Sequence, residues 1–312
     1  MTGQRLAGID IGTLTCRLLI ADLSPTGPVK ELRSDRRILR LGEGVDRSKR
    51  LKREAIDRVV QCIKEWREVI GRYQVQACAA VATSAVRDAE NRQEFLDRIK
   101  AETGFVVEVL TGAQEAERTM LGVRSGLPPA IKNMLALDIG GGSTEFIMVR
   151  EGERPVVRSI DIGVVRLSER LLHHDPPTLE EIGQARDWIR RETAEALAGV
   201  ERAGCTFIGT AGTITTLAAM AQQLPTYEPA RIHNYRLLLE TVADLEQRLL
   251  GRSKAARAGM PGLEKDREDV IASGAIILRT VMETLREQQC LVSDLGLREG
   301  VLIEFAQRTA KR

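Results

Sequence analysis

The chain has 312 residues, 43% hydrophobic and 29% charged, enough for two domains of ordinary size in a water-soluble protein. A net charge of +2 and an aromatic content of 3% argue against a nucleic-acid partner, which would want a basic field and stacking platforms. No uninterrupted apolar run is long enough to cross a bilayer, and Met1 leads almost directly into a strand pattern without signal-peptide architecture.

The first element is a hairpin. Leu6-Ala7-Gly8-Ile9-Asp10-Ile11-Gly12-Thr13-Leu14-Thr15 is followed by the apolar run Leu18-Leu19-Ile20-Ala21. Between Arg33 and Arg53 lie nine cations against few acids, which reads either as a solvated strand, loop and helix start or as a field steering a polyanion. Apolar residues at Ile56, Val59, Val60, Ile63, Trp66, Val69 and Ile70 predict an amphipathic helix from Glu54 to Arg72. Val75 to Ala82 reads as a strand, Glu90 to Glu102 as a helix, Phe105 to Leu110 as a strand and Gln114 to Arg124 as a helix. Ser125-Gly126-Leu127-Pro128-Pro129 then breaks the chain, and a domain boundary is placed there, giving domains 1–126 and 127–312.

The second half repeats the plan. Leu135-Ala136-Leu137-Asp138-Ile139-Gly140-Gly141-Gly142-Ser143-Thr144-Glu145 matches the first hairpin at a constant offset of 128 residues. Strands are expected at 134–138, 144–149 and 156–162, and Thr178 with Glu181 forms a capping-box signature opening a helix to about Ala203. A strand at 205–208 leads into a Gly209-Thr210-Ala211-Gly212-Thr213 turn and a helix. Helices near 241–250 and 268–288, a strand at 291–293 and a final helix from Leu297 complete the chain. The alternation of strands and helices predicts an α/β fold with mixed sheets flanked by helices. The duplicated Asp-x-Gly hairpin predicts two similar lobes facing a cleft, each offering a loop to phosphate.

Three glycines between two strands let backbone N–H groups approach an anion closely, so Gly140, Gly141, Gly142 and Ser143 are candidate phosphate ligands, as are Gly12 and Thr13 in the first copy. Asp138 at a strand end suits Mg²⁺ beside that anion, and Glu145 offers a second carboxylate. Gly209, Thr210, Gly212 and Thr213, between strand and helix, add small residues and hydroxyls at a helix start. Arg87 either forks onto phosphate or pairs with Asp88 or Glu90. Glu115 and Glu117, at the start of a helix, are either site carboxylates or acids favoured by the helix dipole. No nucleophile elbow, zinc-protease motif or Walker lysine is present, and the three histidines lack a nucleophile at recognisable spacing, which favours water as the attacking group. Cys16, Cys62, Cys78, Cys205 and Cys290 sit singly and read as buried thiols in a reducing cytoplasm.

Taken together, these segments resemble the exopolyphosphatase/guanosine pentaphosphate phosphatase family over essentially the full length. The likeness rests on residues 8–12, 40–45, 82–87, 111–116, 138–145, 209–213 and 292–300 in that order. The resemblance implies the two-lobed ribonuclease H-like fold of actin, Hsp70 chaperones and sugar kinases. It implies hydrolysis of the terminal phosphate of inorganic polyphosphate, or of pppGpp to ppGpp, with Mg²⁺ or another divalent cation. Glu115 would activate water with Arg87 neutralising charge, and the Asp138 segment would handle metal and phosphate. The chain resembles the short members without a C-terminal helical domain. The final helix is expected to pack back on the first lobe, and a homodimer suits an enzyme acting on a long polymer.

Two departures stand out. Where the family's first loop commonly runs Gly-Ser-Asn, this chain has Gly12-Thr13-Leu14, and the usual Glu-Ala-Arg is Glu115-Ala116-Glu117. The second places an anion beside the presumed base, with Arg118 about 100° further round an ideal helix as the nearest compensating cation. A sugar or carboxylate kinase would need an acceptor site that no segment resembles. The departures keep open a second class of protein, a non-catalytic sensor of polyphosphate or of guanosine tetra- or pentaphosphate.

Overall fold

The computed structural model describes residues 3–24 and 29–310. The chain divides into two units, one comprising Met1–Gly126 with Leu295–Arg312, the other Leu127–Asp294. Unit 1 contains β1 (Gln4–Ile11), β2 (Thr15–Leu23), β3 (Lys30–Ile38), α1 (Val45–Ser48), α2 (Arg53–Arg72), β4 (Ala77–Ala82), α3 (Ser84–Asp88), α4 (Arg92–Thr103), β5 (Val107–Val109) and α5 (Gly112–Gly126). Unit 2 contains β6 (Met134–Ile139), β7 (Thr144–Val149), β8 (Val156–Ile160), α6 (Val164–Leu171), α7 (Leu179–Ala196), β9 (Thr206–Thr210), α8 (Ala211–Ala221), α9 (Pro229–Ile232), β10 (Arg236–Leu238), α10 (Leu239–Leu250), α11 (Lys254–Arg257), α12 (Ile271–Leu285) and β11 (Gln289–Val292). The last helix, α13 (Leu297–Ala310), returns to unit 1.

The sheet of unit 1 runs β3-β2-β1-β4-β5 and that of unit 2 runs β10-β11-β9-β6-β7-β8. In each, the first three strands in sequence form an antiparallel meander, and two further strands add in parallel on the other side of the first. Unit 2 differs by the short antiparallel β10 at its edge. This duplicated order bears out the two similar units expected from the repeated hairpin and the ribonuclease H-like α/β fold implied by the family resemblance.

In unit 1, Ala7, Ile9 and Ile11 of β1 pack with Cys16, Leu18 and Ile20 of β2 beneath the apolar stripe of α2, which includes Ile56, Val59, Ile63 and Trp66. Burial of one such aliphatic side chain contributes about 1.5–3 kcal/mol. The opposite face of the same strands, Leu6, Leu19 and Ala21, packs on Leu302 of α13. A central strand covered on both faces explains why β1 reads as a nearly continuous apolar run.

The approach of α5 to α13 needs glycine on both helices. A Cβ at Gly122 would lie 1.8 Å from the Gly296 carbonyl oxygen, and one at Gly300 would lie 1.6 Å from that of Arg118. This packing assigns α13 to unit 1, so unit 2 closes at Asp294 instead of running to the end of the chain.

Most predicted elements occur within a few residues. The capping box of Thr178 and Glu181 forms at the start of α7. That helix stops at Ala196, before Gly199 turns left-handed (φ 72°), and so falls short of the expected Ala203. The Gly209–Thr213 segment is not a loop. β9 extends to Thr210, and α8 begins at the next residue. Helix α6 and strand β10 were not anticipated; both are short, and β10 has only three residues to carry a pattern.

Candidate active site

In unit 1 the candidate residues follow the C-terminal ends of three neighbouring parallel strands, the edge at which open α/β sheets bind ligands. Gly12 and Thr13 follow β1, Arg87 lies on α3 after β4, and Glu115 lies in the first turn of α5 after β5. The ends are stitched together: the Thr83 amide donates to the Ile11 carbonyl (3.2 Å) and the Leu110 amide to that of Ala82 (2.9 Å). Arg87 Nη1 donates to the Leu110 carbonyl (2.9 Å) and to Glu115 Oε2 (3.1 Å), with Asp88 Oδ1 farther off at 3.9 Å from Nε. Glu115 is 9% exposed, so this ion pair is mostly withdrawn from water.

The first loop is anchored from behind. Thr13 and Leu14 carbonyls accept amide hydrogens from Gly42, Leu39 and Arg40, and a Cβ at Gly42 would lie 2.3 Å from Thr13 Cγ2 and 3.0 Å from Ala85 Cβ. Leu14, which stands where the family commonly has asparagine, is buried. Glu117 is exposed and Glu115 is buried, so the two acids of α5 occupy different faces. Arg118 does not act beside Glu115; buried at 3% exposure, it pairs with Glu108 (2.8 Å) and Glu304 (2.6 Å).

Unit 2 repeats the hairpin closely. The Gly140 amide donates to the Ser143 carbonyl at 3.0 Å, as the Gly12 amide does to the Thr15 carbonyl at 3.0 Å. The carbonyls of Gly140 and Gly141 accept from the amides of Val164 and Val165 at the start of α6 (3.0 and 2.9 Å). Gly163 must lack a side chain for this contact, because a Cβ there would lie 2.4 Å from the Gly141 carbonyl carbon. Thr210 is paired in register with Asp138, and Thr213 Oγ1 donates to the Ile139 carbonyl (3.2 Å). Ala211 holds a left-handed φ of 70°, a conformation disfavoured without glycine and often kept at ligand sites. Gly209 lies within the sheet, where a Cβ would meet Cys290 Sγ at 2.5 Å; packing alone demands glycine at that position.

Strand register separates the two hairpins chemically. Asp10 pairs directly across with Arg17 in unit 1, whereas Asp138 pairs with Glu145 in unit 2. Directly opposed residues of antiparallel strands share a sheet face. The same position of the repeat therefore offers a cation to the first aspartate and a carboxylate to the second. Asp138 and Glu145 are 8% and 1% exposed, and Glu145 Oε1 also accepts from Ser159 Oγ (2.8 Å). Among the described residues, no group of three or more His, Cys, Asp and Glu is arranged to hold a metal. The two-carboxylate set suits Mg²⁺, which fills its shell with water and phosphate oxygens, better than Zn²⁺, which wants three or four protein ligands.

The sequence reading gave no role to Gly42, Gly163 or Glu299, although Gly42 and Glu299 lie in segments on which the family likeness rests. Gly42 and Gly163 are single glycines whose value lies in contacts distant along the chain. Glu299, 2% exposed, accepts from the Gly296 amide (2.8 Å) and from Arg298 Nε (2.7 Å), closing the first turn of α13. All five cysteines are free; Cys16, Cys62 and Cys290 are buried, while Cys78 and Cys205 are half-buried. Burial pushes Cys62 and Cys78 up to about 12 and raises Cys16 and Cys290, which leaves these thiols poor nucleophiles at neutral pH. His174 and His233 make hydrogen bonds, to Glu181 and to the Asp294 amide, that tie loops of unit 2.

The sequence profile of the Ppx/GppA phosphatase family matches residues 19–309. Exopolyphosphatase 2 of Mycobacterium tuberculosis is 38% identical over 321 aligned positions, covering 98% of this chain and 100% of the relative. A crystal structure of an exopolyphosphatase-like protein is similar at TM-score 0.92 and 31% identity, covering 99% of this chain and 100% of that one. The Aquifex aeolicus member of the Ppx/GppA family is similar at TM-score 0.83 and 33% identity, over 98% and 99% of the two chains.

Proposed function

This chain belongs to the Ppx/GppA phosphatase family, and we propose that it is an exopolyphosphatase that releases the terminal phosphate of inorganic polyphosphate, with pppGpp as a second substrate. It is a phosphoanhydride hydrolase, and the cleaved bond is of the same type in both substrates.

The observation that carries the reading is the buried Glu115 held by Arg87 at the ligand-binding edge of the unit 1 sheet. A carboxylate fixed there takes the proton of the attacking water, while the guanidinium offsets charge on phosphate. Gly12 and Thr13 in unit 1, and Gly140 to Ser143, Thr210, Gly212 and Thr213 in unit 2, supply amides and hydroxyls for phosphate oxygens. Asp138 and Glu145 are the residues that would hold Mg²⁺. That ion, when bound, neutralises charge building on phosphate oxygens. General-base assistance supplies about 10²–10⁴-fold, so charge stabilisation by aligned donors must supply most of the acceleration.

The enzyme reading is supported over a non-catalytic sensor by Leu14 and Glu117. The first packs inside unit 1 and the second faces solvent, so neither departure burdens the Glu115–Arg87 pair.

The test is phosphate release with Mg²⁺ from long-chain polyphosphate and, in parallel, from pppGpp, comparing wild type with Glu115→Ala. Release that falls about 10²-fold or more in the variant is the expected result. Tight binding of both ligands by wild type without any release would overturn the enzyme and leave the sensor.

A further inference from the structure

The segment from Arg40 to Arg53 of unit 1 lies beside the candidate active site and does more than close the core. Its inner side is fixed by Gly42 against Thr13 and Ala85, and by Leu41, Val45 and Leu51, which are buried. Its outer part is tied to the region following α3, where the Glu90 amide donates to the Lys49 carbonyl (2.8 Å) and Asn91 Oδ1 accepts from the Leu51 amide (2.8 Å). The segment thus runs as a strap from the first loop at Thr13 to the helix that carries Arg87.

On this strap Arg47, Lys49, Arg50 and Arg53 are all exposed. Among the described residues, none of their side chains forms an ion pair. The neighbouring acid Glu43 is already neutralised by Lys52 (2.7 Å), leaving Asp46 as the single acid between Val45 and Arg53. Four uncompensated cations within seven residues repel one another.

Two further features oppose stability. Lys49 is held in the left-handed region (φ 55°), a conformation that a residue with a side chain adopts only at a cost. Helix α2 opens with Lys52 at its N-cap and Arg53 ahead of Glu54 in its first turn, where the helix dipole favours anions, and no side chain caps it. A strap selected for folding alone would not concentrate cations at that end.

We propose that this strap is a binding site for the distal phosphates of a long polyphosphate chain, distinct from the groups that hold the terminal phosphate. The proposal rests on the exopolyphosphatase reading and deepens it. A short substrate such as tripolyphosphate is held by the groups already assigned to the terminal phosphates, whereas a long chain continues over Arg47, Lys49, Arg50 and Arg53. Polyanion recognition fits better than nucleic-acid recognition because the strap contains no aromatic residue on which a base would stack. The strap would then set chain-length preference without touching the reacting phosphate.

The experiment compares wild type with the combined variant Arg47→Gln, Lys49→Gln, Arg50→Gln, Arg53→Gln, its folding checked by circular dichroism. Binding of fluorescently labelled long-chain polyphosphate and of tripolyphosphate is measured between 50 and 200 mM KCl, with hydrolysis of both followed in parallel. The expected result is a loss of about tenfold or more in long-chain affinity. Its dependence on log salt should become shallower by about three units, as for four lost phosphate contacts. Tripolyphosphate binding and turnover should stay within about twofold of wild type. Unchanged long-chain affinity, or an equal loss for both ligands, overturns the strap and leaves the enzyme reading standing. Failure of wild type to bind either phosphate ligand overturns both.

Discussion

Arg87 Nη1 makes two bonds at once, to the Leu110 carbonyl and to Glu115 Oε2, and so ties the end of one strand connection to the first turn of the next helix. The carboxylate is positioned by a cation that is itself oriented by backbone. A lysine has the charge, but its shorter, flexible stem does not bring one nitrogen to both acceptors as the planar guanidinium does. Arg87→Lys should therefore lower kcat about tenfold or more with little change in melting temperature, measured as phosphate release from polyphosphate alongside thermal unfolding. Wild-type kcat in that variant would show that geometry at Glu115 does not depend on Arg87.

The α5–α13 contact makes a contrasting pair of glycine predictions. Gly300→Ala inserts a methyl group 1.6 Å from the Arg118 carbonyl oxygen, so the helices must separate. Overpacking of this kind costs about 1–3 kcal/mol, and Tm should fall by roughly 2–10 °C. Gly183→Ala on the exposed side of α7 meets nothing within 4 Å and should stabilise by about 0.5–1 kcal/mol through helix propensity. Thermal melts of the two variants should move in opposite directions.

Glu181 provides a prediction for pH. Burial opposes its ionised form, but hydrogen bonds from His174 and from the Thr178 and His173 amides outweigh that opposition and lower the carboxyl from 4.5 to about 2. A carboxyl depressed in the folded state contributes stability above its unfolded value and loses it as pH falls. The contribution is fully present above about pH 4.5 and disappears between 4.5 and 2. Glu181→Gln should be clearly less stable than wild type in urea at pH 7, with the gap closing as pH falls toward 2. A constant gap across that range would assign the loss to packing.

The sequence made the two hairpins legible because each is a local pattern, a buried strand, an acid and a glycine turn repeated after 128 residues. Glu115 and Arg87 were both singled out, but their pairing was not, since Arg87 has nearer acids along the chain at Asp88 and Glu90. Only the adjacency of β4 and β5 brings Glu115 within reach. The opposing characters of Arg17 and Glu145 were equally hidden. Which residue faces an aspartate is a matter of strand register, which the turn between Gly12 and Thr15 sets. Gly209 illustrates the reverse problem. Its place in a phosphate-like motif drew attention, while the nearby Cys290 Sγ and Ile214 give it a packing reason for being glycine.

The assignment of α13 to unit 1 also orders events during synthesis. Leu302 covers Leu6 and Leu19, and Leu297 and Val301 cover Val81 and Leu110. Those strand faces leave the ribosome first and wait for their cover until the last helix emerges. Residues 127–294, by contrast, form a unit from one uninterrupted stretch of chain. The half of the protein that begins first is thus the half that finishes last, and its exposed strand faces are the surface a nascent-chain chaperone would have to protect.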